Sequence, residues 1–420
     1  METTQNSRFI IDGGHKLCGE LAVDTAKNAI LPIIAATILC DQDILLQNIP
    51  QLSDVDKMND IICALGGTAM RKGTNVHINT SGVNSFEIPP KLASEIRSSI
   101  FMLGPILAKH KTARVAYPGG CDIGSRPIDL HLSGLRDLNV KITEEHGFIN
   151  CDGSRMKNGI VHLDYPSVGA TENIMMAAVL LKGETTIYNA AKEPEITDLQ
   201  NFINSMGGKI SGAGTGTIKI RGTKKLHGTV FTPISDRIVA GTYLIAAAMT
   251  GGKILLSNCN FEHIYSLITK LRNSGCKIDY NSDKIWLETK FRPLSCPSVE
   301  TQPYPGFPTD LQAQFLALQT VSEGISVITE NMFETRFKHV PELVKMGAKI
   351  TTRDRMAIVR GGKLFGASVQ ARDLRGGASL ILAGLAAKGT TTVGGINFVD
   401  RGYDHLEQKL NALGAQIKRT

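Results

Sequence analysis

Aromatic side chains are scarce in this sequence. They make up 5% of the 420 residues, and tryptophan occurs once. The core must therefore be aliphatic, and the chain lacks the aromatic platforms on which nucleic-acid bases stack. The net charge of +7 comes from scattered lysines and arginines, with no dense basic run. We expect no nucleic-acid partner, and a site for a small polyanionic substrate explains the charge equally well.

The eight cysteines show no CxxC spacing. A chain of this length does not need disulfides for stability, so an even count does not indicate them. Zinc is not expected either, because no quartet of cysteines and histidines is clustered. Cys40, Cys63 and Cys276 stand among aliphatic residues, and we expect them in the core, where free cysteine behaves as a small apolar side chain.

Motifs for common cofactors are missing as well. The sequence has no Walker motif, dinucleotide fingerprint or nucleophile elbow, so use of ATP or NAD is not expected. Residues 211–216 (SGAGTG) resemble a phosphate loop but lack the Lys and Ser/Thr of a helix entry. We predict a hairpin turn there. Neither a cofactor nor a metal is expected.

Long apolar runs are also absent. No stretch reaches the roughly 18 apolar residues that span a bilayer, and residues 1–5 (METTQ) show no basic-then-apolar export pattern. We therefore expect a cytoplasmic protein without a membrane partner. Separately, we expect a monomer.

A six-fold repeat organises the chain. An apolar or small residue, usually followed by glycine, leads directly into a short β-rich segment at residues 65, 138, 206, 274, 346 and 413. The regular spacing of about seventy residues indicates a repeated structural unit. Glycine after a helix followed at once by a strand is the usual C-terminal cap.

A second pattern keeps the same register. Almost wholly apolar segments predict buried helices at 29–39, 98–109, 171–181, 238–249, 311–321 and 378–387. Strands are predicted after them at 44–46, 114–116, 185–187, 254–256, 326–328 and 391–393. The fold class is therefore α/β. We predict two similar domains of three units each, one at 24–233 and one at 1–23 plus 234–420, with early strands completing the second.

Charged and polar residues stand at the starts of these buried helices. They are Lys27, Asn28, Arg97, Ser167, Asp236, Arg237, Asp310 and Arg375. Helix N-termini bear partial positive charge and free N–H groups, which suit phosphate and carboxylate ligands. Symmetric domains facing each other would line a cleft with six such ends. The alternative is that Asp310 and Ser167 are N-caps and that the arginines are solvated.

The segment 118–131 (PGGCDIGSRPIDLH) follows the second strand and contains four residues that favour turns before Arg126. A cysteine in such an exposed and basic loop, here Cys121, can become a reactive thiolate. An incidental loop cysteine is the alternative.

Ten short motifs in order along the chain resemble the UDP-N-acetylglucosamine 1-carboxyvinyltransferase family. They are 26–29 (AKNA), 97–100 (RSSI), 118–121 (PGGC), 126–131 (RPIDLH), 167–171 (SVGAT), 193–195 (EPE), 307–310 (FPTD), 334–337 (ETRF), 373–375 (DLR) and 400–403 (DRGY). The resemblance implies two inside-out α/β-barrel-like domains, each of three repeated units, and a cleft that closes on substrate. It also implies transfer of the enolpyruvyl group of phosphoenolpyruvate to the sugar 3-hydroxyl by addition and elimination, releasing phosphate.

Residue roles follow from the same resemblance. Asp310 resembles the base for the sugar hydroxyl proton, and Cys121 the residue that protonates phosphoenolpyruvate or adds to it. The resemblance implies that Lys27, Arg126 and Arg401 hold the phosphate and that Arg336 and Arg375 meet nearby anionic charge. Contacts to the UDP-sugar are implied for Asn28, Arg97, Arg126, Pro127, Ile128, Asp129, Leu130, Ser167, Asp310 and Met332.

Three alternatives compete with this prediction. The sister enolpyruvyl transferase that uses shikimate 3-phosphate shares the fold, but its Gly-Ser-Lys-Ser motif is absent here. A non-catalytic copy that binds only the UDP-sugar is disfavoured by the presence of Cys121, Lys27, Asp310 and Arg401. A basic repeat protein that binds nucleic acid is disfavoured by the scarcity of aromatic residues.

Overall fold

The computed structural model describes residues 7–119, 128–289 and 295–420. These residues form two compact units. The first unit contains residues 25–119 and 128–234, and the second contains 7–24, 235–289 and 295–420. Each has a hydrophobic core of its own, made mainly of Ile, Leu, Val and Ala.

The strands of the described residues are short, and each has five residues or fewer. They are β1 (Arg8–Asp12), β2 (Cys18–Ala22), β3 (Ile44–Leu46), β4 (Thr68–Lys72), β5 (Asn75–Asn79), β6 (Thr112–Ala116), β7 (Lys141–Glu145), β8 (Phe148–Asp152), β9 (Ile160–His162), β10 (Glu184–Tyr188), β11 (Ile210–Ser211), β12 (Thr217–Arg221), β13 (Thr229–Phe231), β14 (Lys253–Ser257), β15 (Lys277–Tyr280), β16 (Lys284–Glu288), β17 (Val299–Glu300), β18 (Ile325–Thr329), β19 (Lys349–Arg353), β20 (Met356–Arg360), β21 (Ser368–Gln370), β22 (Thr390–Gly394) and β23 (Gln416–Arg419).

The α-helices alternate with these strands. They are α1 (Lys27–Ala36), α2 (Ser53–Ala64), α3 (Pro90–Glu95), α4 (Leu103–His110), α5 (Asp129–Asp137), α6 (Val168–Ala178), α7 (Pro194–Ser205), α8 (Arg237–Thr250), α9 (Tyr265–Asn273), α10 (Gln312–Thr320), α11 (Val340–Lys345), α12 (Leu374–Ala386) and α13 (Leu406–Ala412). Shorter 3-10 helices lie at Thr37–Leu39, Arg97–Met102, Phe261–Ile264, Thr309–Leu311 and Ile396–Arg401.

The predicted buried helices and the strands after them are confirmed. Helices α1, α4, α6, α8, α10 and α12 are buried along nearly their whole length, because they are apolar on almost every side. Strands β3, β6, β10, β14, β18 and β22 follow them. The hairpin turn predicted at 211–216 is also confirmed, since β11 and β12 pair antiparallel around it.

Among the described residues, each unit has three sheets. In the first unit their strand orders are β13-β3-β5-β4, β6-β8-β7 and β11-β12-β10-β9, and in the second they are β15-β16-β14-β2, β17-β18-β20-β19 and β21-β22-β1-β23. In five of these sheets the strand after a buried helix pairs parallel with one neighbour and antiparallel with the other, as in the pairing of β18 with β17 and β20. Strand β6 is instead an edge strand that pairs antiparallel with β8. One face of β18 is buried and the other is more open, so the sheets cover helices that lie inside each unit.

The N-terminal strands belong to the second unit. Strand β1 lies between β22 and β23, with Ile10 opposite Thr392 and Lys418. Strand β2 runs parallel to β14, with Leu21 opposite Leu256. The early strands therefore pair with strands of the later repeats.

A left-handed residue ends the second helix of each repeat. Gly207, after α7, has a φ of 94°, and the equivalent residue after α5 is Asn139, with a φ of 65°. Asparagine is one of the few residues other than glycine that adopt this conformation at low cost. The repeat therefore persists where its glycine is missing.

Two remaining sequence predictions concern burial. Cys40 and Cys276 are buried as expected, but Cys63 is exposed, so that prediction is wrong. Helix α2 buries Val55, Met58 and Ile62 on one face, and Cys63 lies on the other. Within the described segments, no helix is both long and apolar enough to cross a membrane.

Candidate active site

Asp310 lies between two arginines in the second unit. Arg336 donates from Nη2 to Oδ1 at 2.8 Å, and Arg375 donates from Nη2 to Oδ2 at 3.0 Å. Both arginine side chains are 4% exposed, whereas the Asp310 side chain is 26% exposed. The pair of charge-assisted bonds fixes both carboxylate oxygens and leaves part of the carboxylate open to a ligand.

The two arginines also determine the ionisation of Asp310. Burial by itself raises the pKa of this carboxyl, but the charges of Arg375 and Arg336 outweigh burial and hold the pKa well below its usual range. Asp310 is therefore an ionised acceptor at neutral pH. Such a group can orient a hydroxyl and take up its proton while that proton is being lost.

Arg375 is positioned by the start of α12. The N-cap residue Asp373 accepts hydrogen bonds through Oδ1 from the backbone N–H groups of Arg375 (3.1 Å) and Gly376 (2.8 Å). The guanidinium carbon lies 5.5 Å from the ring centroid of Tyr403, within the range of a cation–π contact. The cap and the ring together hold the arginine against Asp310.

Side-chain caps change the predicted role of several helix starts. Asp236 accepts from the N–H groups of Ile238 and Val239, and Ser167 accepts from the N–H of Ala170 at 3.3 Å. These three N–H groups are therefore occupied by the caps, and anion binding at these helix starts stays a prediction. The N-cap alternative holds for Ser167 but not for Asp310, which lies inside the 3-10 helix Thr309–Leu311.

Met332 follows β18 in a loop that is held by a buried carboxylate. Glu330 is 0% exposed and accepts the Met332 N–H at 2.8 Å and the Phe333 N–H at 3.1 Å through Oε1. Met332 was among the residues predicted from the sequence, whereas Glu330 was not. Its position directly after a predicted buried strand was the available signal.

In the first unit, Lys27 forms a buried ion pair. Its Nζ lies 2.6 Å from Oδ2 of Asp54, and the two side chains are 10% and 4% exposed. Lys27 is the first residue of α1, and Asp54 lies in the first turn of α2. The carboxylate balances the charge of the ammonium, which stabilises its burial at this helix start. The sequence alone did not indicate Asp54.

Arg97 begins a 3-10 helix beside a buried polar group. Burial and the charge of Arg97 lower the pKa of His131 to about 3, so the imidazole is neutral. Asn173 donates from Nδ2 to His131 Nδ1 at 2.8 Å, which places the ring proton on Nε2. Asn173 also accepts the Gly104 N–H at 2.9 Å, and this network ties α4, α5 and α6 together.

The other candidates lie at the ends of elements. Asn28 follows Lys27 in α1, Ile128 is buried just before α5, Asp129 and Leu130 begin α5, and Arg401 ends the 3-10 helix Ile396–Arg401. Cys121, Arg126 and Pro127 lie outside the described residues.

A buried acidic group in the first unit was not predicted. Glu172, in α6, is fully buried, and burial, with the charges of Glu195 and Glu193, raises its pKa well above the usual range. Asp198, in α7, is 2% exposed, and burial raises its pKa to about 7. Perturbed carboxyls of this kind are frequent near functional sites, although structural networks also contain them.

Comparisons with known proteins identify the fold. The model of the EPSP synthase (3-phosphoshikimate 1-carboxyvinyltransferase) family matches residues 11–410. The enolpyruvyl transferase NikO from Streptomyces tendae superposes with a TM-score of 0.87 at 24% identity, covering 99% of both chains. EPSP synthase from Acinetobacter baumannii superposes with a TM-score of 0.74 at 18% identity, covering 99% of this chain and 100% of that one. The fold is thus that of the enolpyruvyl transferases.

Curated relatives narrow the class further. UDP-N-acetylglucosamine 1-carboxyvinyltransferase 2 of Caldanaerobacter subterraneus is 51% identical over 98% of this chain and 99% of its own. UDP-N-acetylglucosamine 1-carboxyvinyltransferase 1 of Carboxydothermus hydrogenoformans is 48% identical over 98% of both chains. The enzyme of that name from Geobacter metallireducens is 47% identical over 98% of this chain and 99% of its own. This chain belongs to the UDP-N-acetylglucosamine 1-carboxyvinyltransferase family.

Proposed function

We propose that the protein transfers the enolpyruvyl group of phosphoenolpyruvate to the 3-hydroxyl of UDP-N-acetylglucosamine and releases phosphate. This is the first committed step of peptidoglycan precursor synthesis. The observation that supports it most strongly is the 51% identity over 98% of the chain to a relative of that name. At such identity over the whole length, the specific relative outweighs the broader family model, which is described by the shikimate enzyme.

The contacts of Asp310 support its proposed role as the base for the sugar hydroxyl. The hydroxyl oxygen attacks C2 of phosphoenolpyruvate, and its proton passes to the carboxylate. The methylene carbon of the enol gains a proton, for which Cys121 is proposed as the donor. Loss of phosphate and a proton from the tetrahedral intermediate then yields the enol ether.

The remaining roles concern charge and position. Lys27, Arg126 and Arg401 are proposed to bind the phosphate of phosphoenolpyruvate, and Arg336 and Arg375 to stabilise anionic charge near Asp310. The proposed UDP-sugar contacts are those of Asn28, Arg97, Arg126, Pro127, Ile128, Asp129, Leu130, Ser167, Asp310 and Met332. We further propose that the two units are the enzyme's two domains. Cytoplasmic location and a monomeric state stay predictions.

Phosphate release tests this proposal. The purified protein is given phosphoenolpyruvate with UDP-N-acetylglucosamine in one arm and with shikimate 3-phosphate in the other. We expect release in the first arm alone. Release with shikimate 3-phosphate alone would assign the protein to the sister activity, and no release in either arm would contradict an enzymatic role.

Cys121 is tested in the same assay. Cys121→Ser should lower turnover, whereas Cys18→Ser, at an exposed cysteine of β2, should not. Fosfomycin is expected to label Cys121, and mass spectrometry of the treated protein measures this directly. Unchanged turnover in Cys121→Ser, or labelling at other cysteines instead, would remove the proposed role of this thiol.

A further inference from the structure

Glu330 organises the loop that follows β18. It is 0% exposed, and its carboxylate accepts four hydrogen bonds. Oε1 accepts from the Thr301 hydroxyl at 2.9 Å, the Met332 N–H at 2.8 Å and the Phe333 N–H at 3.1 Å, and Oε2 accepts from the Thr309 hydroxyl at 2.9 Å. A buried carboxylate is stable only when its oxygens are satisfied in this way, so the four donors hold positions that Glu330 dictates.

One of these bonds continues to Asp310. The Thr309 oxygen accepts a hydrogen bond from Arg336 Nη1 at 3.1 Å, and Arg336 Nη2 donates to Asp310 Oδ1 at 2.8 Å. Thr309 has a single hydroxyl proton, and because that proton is directed at Glu330, a lone pair of the oxygen faces the guanidinium. The chain of bonds therefore has a defined direction from Arg336 to Glu330.

We propose that Glu330 is a positioning residue for Asp310 and acts through Thr309 and Arg336. Glu330 also acts through a second set of contacts, here called the second arm, which consists of its bonds to the Met332 and Phe333 amides. These bonds shape the loop that is proposed to contact the UDP-sugar. The inference rests on the proposed function. It extends that function by assigning the orientation of the base to a buried carboxylate that need not touch either substrate.

Two threonines provide a matched pair of variants. Thr309→Val and Thr301→Val each remove one hydroxyl bond to Glu330 with little change in shape. Thr301→Val also removes the acceptor of the Asn331 N–H, but only Thr309 bonds to Arg336. Loss of a hydrogen bond to a charged group predicts a fall in kcat of about tenfold to a hundredfold for Thr309→Val, with the KM for phosphoenolpyruvate unchanged. Thr301→Val should leave kcat within about twofold of the parent, and Thr309→Ser, which restores the hydroxyl, should recover the lost turnover.

The second arm is tested by Glu330→Ala. This variant should lower kcat and also raise the KM for UDP-N-acetylglucosamine, because the Met332 amide loses its acceptor. Glu330→Gln keeps the side-chain shape but presents N–H groups to Thr309, so its kcat should fall while the KM change stays small. If urea unfolding shows that Thr309→Val does not fold, Glu330→Gln takes its place as the test variant.

The outcomes separate this inference from the proposed function. Equal kcat in Thr309→Val and Thr301→Val, or no recovery in Thr309→Ser, would overturn the positioning role and leave the proposed function intact. An inactive parent would overturn the proposed function, and crystal structures of the two valine variants would then decide. Displacement of Arg336 from Asp310 in Thr309→Val alone supports the inference, and an Arg336–Asp310 distance near 2.8 Å in both variants contradicts it.

Discussion

Asp198→Asn is expected to stabilise the protein, and the gain should depend on pH. Asp198 is 2% exposed and accepts the Ile234 N–H at 3.0 Å through Oδ2. Burial raises the pKa of Asp198 to about 7 from 3.8, the hydrogen bond from Ile234 partly opposes this, and Glu195 adds to it. The folded state therefore holds a proton on Asp198 that the unfolded chain has already lost at weakly acidic pH.

The magnitude follows from the shift. One pKa unit corresponds to about 1.4 kcal/mol, so a shift of about three units costs the folded state roughly 4 kcal/mol once Asp198 is ionised in both states. Because folding raises the pKa of Asp198, its ionisation destabilises the folded state. The cost is absent below the unfolded pKa, grows as the pH rises from about 4 to about 7, and is constant above that. Asparagine cannot ionise, and its Oδ1 can still accept the Ile234 N–H.

Urea unfolding followed by circular dichroism measures this effect. We expect Asp198→Asn to gain between 1 and 2 kcal/mol, roughly, at about pH 5 and roughly 4 kcal/mol at about pH 8. Asp164→Asn is the control, because its side chain is 94% exposed, and its effect on stability should be far smaller than that of Asp198→Asn. A gain from Asp198→Asn that is no larger at the higher pH would refute the reasoning, since only ionisation of a buried carboxyl predicts the trend.

Three further predictions concern buried polar groups of the first unit. Glu172→Gln should also stabilise the protein at neutral pH, because burial raises the pKa of Glu172, and a lower urea midpoint than the parent's would contradict this. Asn173→Ala removes the bonds to Gly104 and His131 and should lower the free energy of unfolding by about 2–4 kcal/mol. An unchanged urea midpoint would contradict this prediction. Asp54→Asn leaves Lys27 without its carboxylate and should cost about 3 kcal/mol and raise the KM for phosphoenolpyruvate. Wild-type values for both quantities would show that this pair is dispensable.

The repeat was predictable because its physical causes are local. A helix that is apolar on all sides has to be buried, and a turn residue before a β-rich segment marks a helix end wherever it occurs. The helix end does not require glycine, since Asn139 adopts the same left-handed conformation as Gly207. The error at Cys63 has a similarly local cause. Aliphatic neighbours in the sequence do not indicate which face of an amphipathic helix a residue occupies.

The partners of the site residues were not predictable in the same way. Lys27 and Asp54 belong to different helices, and no spacing rule connects them. Glu330 and Thr309 are likewise joined only by the packing of β18 against the turn before α10. The sequence could indicate which charges stand at helix starts, but their pairing depends on tertiary structure. Several of those starts proved to be capped by their own side chains.

The low pKa of Asp310 limits what a pH–rate profile can report. The Asp310 carboxyl, whose pKa Arg375 and Arg336 hold well below its usual range, stays ionised throughout the weakly acidic and neutral range. His339, whose pKa is lowered to about 4 by burial, does not titrate there either. A loss of turnover between about pH 8 and about pH 5 would therefore report a different group. For the proposed role of Asp310 as the base, this weak basicity means that the hydroxyl proton is taken up only as the new C–O bond forms. Orientation rather than basicity would then determine the contribution of Asp310, and the bonds from Arg336 and Arg375 supply that orientation.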